Sequence, residues 1–273
     1  MKKAEMIGGY MLADKKHARN RIMVGIPTTG LVRYEWVMAR YGQVIPCNWS
    51  QKEMAYFYAP WSPIGFQVAD ARNIIAHHAV AGNFEWLLFI DHDTMPPANM
   101  LIAFNEYMLR KLVPVVCGLY FTKSIPSDPL VYRGFGKGSY RDWKMGDKVW
   151  CDGIPMGCTL IHCDVLRAMQ PDMEEYKLTS MGGEAIVVRK YFNTPAESKV
   201  NEDGVWENRT GTEDLDWCKK VIEGDYFTKA RFEKVAKREF PFLIDTQIFC
   251  KHIDTDGNIY PSRGEEQEFA RKK

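Results

Sequence analysis

Asp91 and Asp93 are two carboxylates separated by a single residue, and they directly follow a continuous apolar run over residues 86–90. A short unbroken run of large apolar side chains predicts a strand that is buried on both faces. Side chains at positions i and i+2 of an extended backbone point the same way, so both carboxylates can converge on one ligand. Two like charges held close together are costly unless a cation lies between them, and hard divalent cations prefer oxygen ligands. The triplet therefore predicts a cation site, although the same spacing also occurs in solvated turns and helix caps.

Two predicted helix starts carry further charged groups. Asp70 and Arg72 open one helix, and Glu213 and Asp214 open another. Acids in a first helical turn are favoured by the helix dipole, so they need no functional explanation. An arginine is unfavourable there, which makes Arg72 the more informative residue.

Alternating strands and helices are predicted to position these groups. The strands fall at residues 21–27, 43–46, 86–90 and 114–120, and the helices at 31–41, 68–80 and 98–111. This order predicts an α/β fold with a doubly wound, mainly parallel sheet flanked by helices. Ligands of such sheets lie beyond the carboxyl ends of the strands, which is where Asp91 and Asp93 stand.

One long segment of the first half, residues 51–66, is predicted as an aromatic, proline-punctuated loop.

The second half of the chain is predicted to be less regular. It is predicted to contain a glycine-rich bend at 149–161 and a short helix at 163–169, followed by a charged insertion at 170–208. A helix capped by Thr212 is predicted at 212–220 and a late strand at 243–249. We expect one domain over 21–260, with a nucleotide-binding half (21–121) and an acceptor-side half (122–260), a flexible N-terminus (1–20) and a polar tail (261–273).

The composition and charge of the chain argue against several classes of protein. The chain has 273 residues, enough for one large α/β domain, and its formal charge of +1 gives no reason to propose a nucleic-acid partner. No stretch approaches the roughly 20 consecutive apolar residues that a membrane span requires. Asp14, Lys15 and Lys16 interrupt the apolar core that a signal peptide needs. Seven scattered cysteines without metal or disulfide spacing predict buried free thiols, so we expect a cytoplasmic protein.

The order of these features, from about residue 21 to residue 254, resembles the metal-dependent glycosyltransferases of the GT-A fold, most nearly the family 2-like enzymes. Asp91-His92-Asp93 resembles their DxD signature. The resemblance implies a donor that is a nucleotide-diphosphate sugar, a carbohydrate, lipid or protein acceptor, and Mn²⁺ or Mg²⁺ at the diphosphate.

The resemblance also assigns roles to residues of this chain. The nucleotide-sugar-binding residues it implies are Pro27, Thr28, Asp70, Arg72, Asn73, Asp91, His92 and Asp93. The acceptor side would be formed by Gly153, Met156 and Gly157. The metal ligands would be Asp91, Asp93 and His252, with Asp93 and His252 in direct contact.

The implied reaction needs a base. A hydroxyl that attacks the sugar has a pKa far above neutrality, so a carboxylate within hydrogen-bond reach must accept its proton. Thr212-Glu213-Asp214 resembles the family element that supplies this base, with Asp214 as the first candidate and Glu213 as the second.

Three other functions stay open at this point. A phosphatase of the haloacid dehalogenase type also has DxD after a buried strand, but usually near the start of its core. A nucleotidyltransferase shares the general sheet. A carbohydrate- or nucleotide-binding module of the same fold would have lost the chemistry, and it would not need the Asp pair, Asp214 and His252 together.

Overall fold

The computed structural model of the chain describes residues 6–7, 10–11, 19–134, 137–179, 185–200 and 206–271. Its strands in chain order are β1 (Met6–Ile7), β2 (Tyr10–Met11), β3 (Asn20–Gly25), β4 (Phe84–Ile90), β5 (Thr94–Met95), β6 (Val115–Leu119), β7 (Lys148–Cys151), β8 (Cys158–His162), β9 (Glu175–Thr179), β10 (Ala185–Arg189), β11 (Ala196–Val200), β12 (Trp206–Thr210), β13 (Phe242–Phe249), β14 (Lys251–Ile253) and β15 (Ile259–Tyr260). Its helices are α1 (Tyr34–Tyr41), α2 (Gln51–Tyr58), α3 (Val68–Ala81), α4 (Met100–Arg110), α5 (Cys163–Met169), α6 (Glu213–Glu223), α7 (Tyr226–Lys229), α8 (Glu233–Ala236) and α9 (Arg263–Arg271).

A six-stranded sheet in the order β3-β4-β8-β6-β13-β7 forms the centre of the fold. Strand β3 pairs parallel with β4, and β6 pairs parallel with β13. Strand β8 runs antiparallel between β4 and β6, and β7 runs antiparallel along the edge of β13. Four of these six strands therefore point the same way, and the predicted α/β class with a mainly parallel sheet is confirmed.

Strand β4 is deeply buried in the sheet, as are β6 and β8. All of its residues from Trp86 to Ile90 are inaccessible to solvent. Successive side chains alternate between the two faces, so both layers of the core pack against this strand. Fully burying one such side chain contributes about 1.5–3 kcal/mol. The apolar run thus fixes the backbone from which Asp91 and Asp93 extend.

Two predictions between β3 and α3 were wrong, whereas the helix predicted at 31–41 is present as α1. Residues 43–46 form no strand: Val44 is 54% exposed, and its backbone N–H donates to the Ala98 carbonyl. Residues near Trp61 lie beside β3 instead, with reciprocal backbone hydrogen bonds to Val24 and Ile26. Residues 51–58, predicted as loop, form α2.

Helix α2 forms in spite of its aromatic composition, and a capping box stabilises its N-terminus. The Ser50 side chain accepts from the Glu53 N–H, and the Glu53 carboxylate accepts from the Ser50 N–H. These bonds satisfy two backbone donors at a helix start that would otherwise lack partners.

The charged insertion predicted after residue 170 contains two hairpins. Strands β9 and β10 pair with each other, as do β11 and β12. The predicted flexible N-terminus includes the small β1–β2 hairpin, and most of its other residues lie outside the described part of the chain.

The segment predicted as a polar tail, 261–273, contains helix α9. Its single aromatic side chain, Phe269, stacks on Trp143 with 5.7 Å between ring centroids and also contacts Phe121. This aromatic contact and an ion pair between Lys251 and Glu266 dock the helix. The division of the chain into domains and halves stays a prediction.

All seven cysteines are free, and six of them are buried, while Cys47 is exposed. Within the described ranges, no helix has the length and apolar character needed to cross a membrane. The cytoplasmic location stays a prediction.

Candidate active site

Asp91 lies directly beyond β4, and its backbone is held from two sides. Its N–H donates to the Gly157 carbonyl at 2.9 Å, and its carbonyl accepts from Nε1 of Trp36 at 2.8 Å. Carboxylate oxygen Oδ2 accepts from Nη2 of Arg72 at 2.9 Å. Oxygen Oδ1 is buried and has no hydrogen-bond partner among the described residues. This oxygen therefore has an unused capacity to accept a hydrogen bond, and leaving a buried acceptor unsatisfied is costly.

Arg72, on α3, joins the end of β4 to the start of α6. Its side chain is buried, and Nε donates to Oε1 of Glu213 at 3.0 Å while Nη2 donates to Asp91. Burial opposes its charge, but the two carboxylates outweigh burial and raise the pKa of Arg72. The guanidinium is therefore a permanent charge, shared by two acids.

Asp93 is reached by two side chains from distant parts of the chain. Strand β14 pairs with β5, which places His252 opposite Thr94. His252 Nε2 lies 3.9 Å from Asp93 Oδ1, and the Lys123 ammonium donates to Asp93 Oδ2 at 2.5 Å. The structure thus brings together the Asp pair and the histidine that the sequence places 159 positions later (252 − 93).

The two carboxylates experience different surroundings. Burial raises the pKa of Asp91 even though Arg72 lowers it. Burial also disfavours ionised Asp93, but His252 and Lys123 outweigh it and lower the pKa of Asp93. Burial lowers the pKa of His252 against the pull of Asp93, which favours the neutral imidazole. Asp93 is therefore the more readily ionised member of the pair.

A cavity of about 180 Å³ lies over the pair. Pro27 and Thr28, which follow β3, line it together with Asp91, His92 and Asp93. His92 Nδ1 lies 3.2 Å from the Pro27 carbonyl oxygen, which ties the two loops together. These five predicted nucleotide-sugar residues are brought to one place.

A second cavity, of about 360 Å³, adjoins the first. The two share Thr29, His92 and Asp93, and the second extends along Lys123 and Asp254. Asp93 therefore faces both spaces.

The candidate bases at the start of α6 have separate surroundings. Glu213 is buried, and its carboxylate is committed to Arg72. Asp214 is half-buried, and its Oδ1 accepts from the Leu215 N–H at 2.8 Å. Burial and the neighbouring Glu213 raise the pKa of Asp214, which makes its carboxylate a stronger proton acceptor than an ordinary aspartate.

The predicted acceptor-side loop lies between Asp91 and helix α6. Gly157 accepts from the Asp91 N–H, and its own N–H donates to the Tyr120 hydroxyl at 2.6 Å. Gly153 packs so closely on Leu215 that a Cβ built on it would lie 2.8 Å from that side chain. Met156 is fully buried, so its side chain belongs to the core.

Asp70 and Asn73 bond to the insertion. The Tyr176 hydroxyl, on β9, donates to Asp70 at 2.7 Å and accepts from Asn73 at 2.8 Å. The Asn73 amide also donates to and accepts from the backbone of Phe192. These bonds hold the insertion against α3, and a direct role of either residue at a nucleotide stays a prediction.

No protein-family model and no curated protein matches the chain. Among solved structures, the chain is similar to A197 from STIV at 14% identity, over 88% of this chain and 92% of that one, with a TM-score of 0.49. It is similar to residues 1–349 of TarS from S. aureus, in complex with UDP, at 12% identity, over 57% and 50% of the two chains, with a TM-score of 0.34. A third similar structure is CMP:2-keto-3-deoxy-manno-octonic acid synthetase with CTP, at 9% identity, over 83% and 89%, with a TM-score of 0.26.

The residues fit a divalent cation held by two protein ligands. The described residues contain no group of three or more His, Cys, Asp or Glu side chains arranged to hold a metal. Asp91 accepts from Arg72 through Oδ2, and the prediction placed only Asp93 and His252 in direct contact with the metal. Oδ1 of Asp93 and Nε2 of His252 lie 3.9 Å apart, a separation that one bound cation could bridge. Two such ligands suit Mn²⁺ or Mg²⁺ if water and phosphate oxygens complete the shell, and the metal itself stays a prediction.

Sequence reasoning missed Lys123. It lies in an irregular segment without periodicity, which gave no signal of its own. It nevertheless follows the end of β6 by four residues, at the same edge of the sheet as Asp91. The rule that ligands lie beyond the carboxyl ends of strands would have selected it.

Gly157→Ala is expected to disturb both the fold and the position of Asp91. A Cβ at Gly157 would lie 2.7 Å from the Thr94 hydroxyl and from the Tyr120 hydroxyl, so both hydroxyls or the Gly157 backbone must shift. We expect the free energy of unfolding, measured by urea denaturation, to fall by about 1–3 kcal/mol. Gly264→Ala is the control, because nothing lies within 4 Å of its Cβ. Equal losses in the two variants would contradict the close packing at Gly157.

Proposed function

We propose that the protein is a glycosyltransferase that moves a sugar from a nucleotide-diphosphate sugar to an acceptor hydroxyl, with Mn²⁺ or Mg²⁺ at the diphosphate. The observation that carries the proposal is one cavity in which Pro27 and Thr28 meet the Asp91-His92-Asp93 triplet. Arg72 connects this cavity to the helix that carries Asp214.

The donor binds in that cavity in this proposal. The nucleoside lies against Pro27 and Thr28, and the buried Oδ1 of Asp91 accepts a hydrogen bond from a ribose hydroxyl. Arg72 fixes the orientation of Asp91 for this contact because it holds the other carboxylate oxygen.

The diphosphate of the donor lies beside Asp93 and His252. These residues would hold the divalent cation, which neutralises the charge that develops on the departing diphosphate. The role of Asp93 needs a carboxylate that is ionised, and the lowered pKa of Asp93 supports it. The role of His252 needs a neutral nitrogen, and the lowered pKa of His252 supports that as well.

The acceptor enters on the side of the Gly153–Gly157 loop. Asp214 takes the proton of the attacking hydroxyl, and its raised pKa supports the choice of this carboxylate. Glu213 neutralises part of the charge of Arg72. The guanidinium therefore lowers the pKa of Asp214 less than it would without this partner.

Donor turnover tests the proposal against its rivals. The protein is incubated with Mn²⁺ and a panel of nucleotide-diphosphate sugars, and release of the nucleoside diphosphate is measured with and without simple sugar acceptors. We expect release from one donor class, accelerated by an acceptor. Nucleoside triphosphate consumption with pyrophosphate release would replace the proposal with a nucleotidyltransferase. Phosphate release from a generic phosphate ester would replace it with a phosphatase.

A further inference from the structure

Lys123 binds the same carboxylate, that of Asp93, which is proposed to hold the cation. Its ammonium donates to Oδ2 of Asp93, while His252 faces Oδ1. Asp93 is therefore already neutralised by a cation that belongs to the protein. A metal ion that binds Asp93 competes with Lys123 for the same carboxylate.

The loop that carries Lys123 is held by its own hydrogen bonds. Asp128 N–H donates to the Thr122 hydroxyl, and the Ser127 hydroxyl donates to the Ser124 carbonyl. The Ser127 N–H also donates to Glu265 of α9 at 2.6 Å, which ties the loop to the C-terminal helix. The backbone at Lys123 is thus fixed next to the second cavity, and a change of partner requires only rotation of a flexible side chain.

The two cations of the site differ in their freedom to change partner. Arg72 is buried and serves two carboxylates, so moving it would leave buried charges without partners. The Lys123 side chain is 34% exposed, and Asp93 is the one acid it pairs with among the described residues. An ion pair this exposed contributes little stability, so exchanging its partner has a small cost.

The cavity that Lys123 lines also contains Asp93 and opens towards Arg33. A diphosphate beside Asp93 would place its oxygens within the reach of a lysine side chain in this cavity. A phosphate carries more negative charge than one carboxylate, so an ammonium next to both would favour the phosphate.

We propose that Lys123 is an exchangeable counter-ion of Asp93. It neutralises Asp93 when the site holds no nucleotide, and it moves to the diphosphate when a divalent cation takes its place on the carboxylate. This inference rests on the proposed function, since it assumes a diphosphate ligand. It predicts that Lys123 opposes binding of the metal alone but assists binding of the metal and nucleotide together.

Two titrations of the full chain test the exchange. The first measures the affinity for Mn²⁺ alone, and the second measures the affinity for nucleoside diphosphates at saturating Mn²⁺. In Lys123→Met we expect Mn²⁺ alone to bind at least about threefold more tightly, because a competing charge is gone. We expect the nucleoside diphosphate to bind about tenfold more weakly, because one charge-assisted hydrogen bond is lost.

Two further variants serve as controls. Lys123→Arg keeps the charge and should retain most of the nucleotide affinity. Lys219→Met removes an exposed lysine that pairs with Glu223 on α6, and it should change neither titration.

Opposite changes in the two titrations support the exchange. Changes of the same sign, or no change in either, would overturn it. If wild-type protein binds no nucleoside diphosphate at all, the proposed function fails, whatever Lys123→Met does to Mn²⁺ binding. If wild-type protein binds the nucleotide and Lys123→Met binds it equally well, only the inference about Lys123 fails.

Discussion

Asp93→Ala is expected to lower metal-dependent turnover of the sugar nucleotide by at least about 100-fold, at the upper end of losses seen at groups that support a metal site. Asp93 is the carboxylate that faces both cavities and His252, and its lowered pKa keeps it ionised. Removing it takes away the oxygen that would hold the cation at the diphosphate. Release of the nucleoside diphosphate, measured across a range of Mn²⁺ concentrations, gives the size of the loss.

The fold should tolerate this change. Asp93 and Lys123 are each about one-third exposed, and an ion pair of that kind contributes roughly 0–1 kcal/mol. Urea denaturation of the variant should therefore give nearly the wild-type free energy of unfolding. Asp172→Ala is a matched control, because it also breaks an exposed Asp–Lys pair, with Lys229. Full turnover in Asp93→Ala, at the level of Asp172→Ala, would refute the metal role.

Asp214→Asn is expected to retain nucleotide binding and lose transfer. Asparagine keeps the shape of the side chain and can still accept from the Leu215 N–H through its amide oxygen. It cannot accept the proton of the attacking hydroxyl, so we expect kcat to fall by about 10²–10⁴-fold. Binding of the nucleoside diphosphate should stay within about twofold of wild type, because none of the proposed nucleotide contacts changes.

The next acid along α6 provides the control for this variant. Asp216 pairs with Lys220, and Asp216→Asn should leave both binding and transfer intact. If transfer persists in Asp214→Asn, Asp214 is not the base. If both variants lose transfer, the effect belongs to helix α6 and not to proton removal.

The pH dependence of transfer gives a second measure of Asp214. The base acts only when it is deprotonated, so the rate falls as pH drops through its pKa. Since burial raises that pKa, the fall should lie above the pH expected for an ordinary aspartate, about 3.9. The profile of kcat against pH should lose this acidic limb in Asp214→Asn.

The strand that carries the site was predictable because its signal is local. A continuous apolar run can only be stable where both faces are covered, and β4 is inaccessible over residues 86–90. The proximity of His252 to Asp93 depends on pairing between β14 and β5, which periodicity does not reveal. Only the resemblance to a known family suggested that His252 lies close to Asp93.

The errors have physical reasons of their own. Residues 43–46 carry a few β-favouring side chains, but the Val44 N–H donates to the Ala98 carbonyl and not to a neighbouring strand. At α2 the Ser50–Glu53 capping box was present in the sequence and was overlooked. The partners of Asn73 could not be predicted, because they lie in the insertion, which has no regular pattern in the sequence.

Nucleotide-dependent thermal stability is the most direct test of the central claim, that this cleft binds a nucleoside diphosphate with a divalent cation. The melting temperature Tm is measured with UDP, GDP, CDP and ADP, each with and without Mn²⁺, for wild type and Asp93→Ala. We predict that one nucleotide raises the wild-type Tm by several degrees when Mn²⁺ is present, and that Asp93→Ala abolishes the rise. An unchanged Tm with every nucleotide, or an equal rise in Asp93→Ala, would contradict the account.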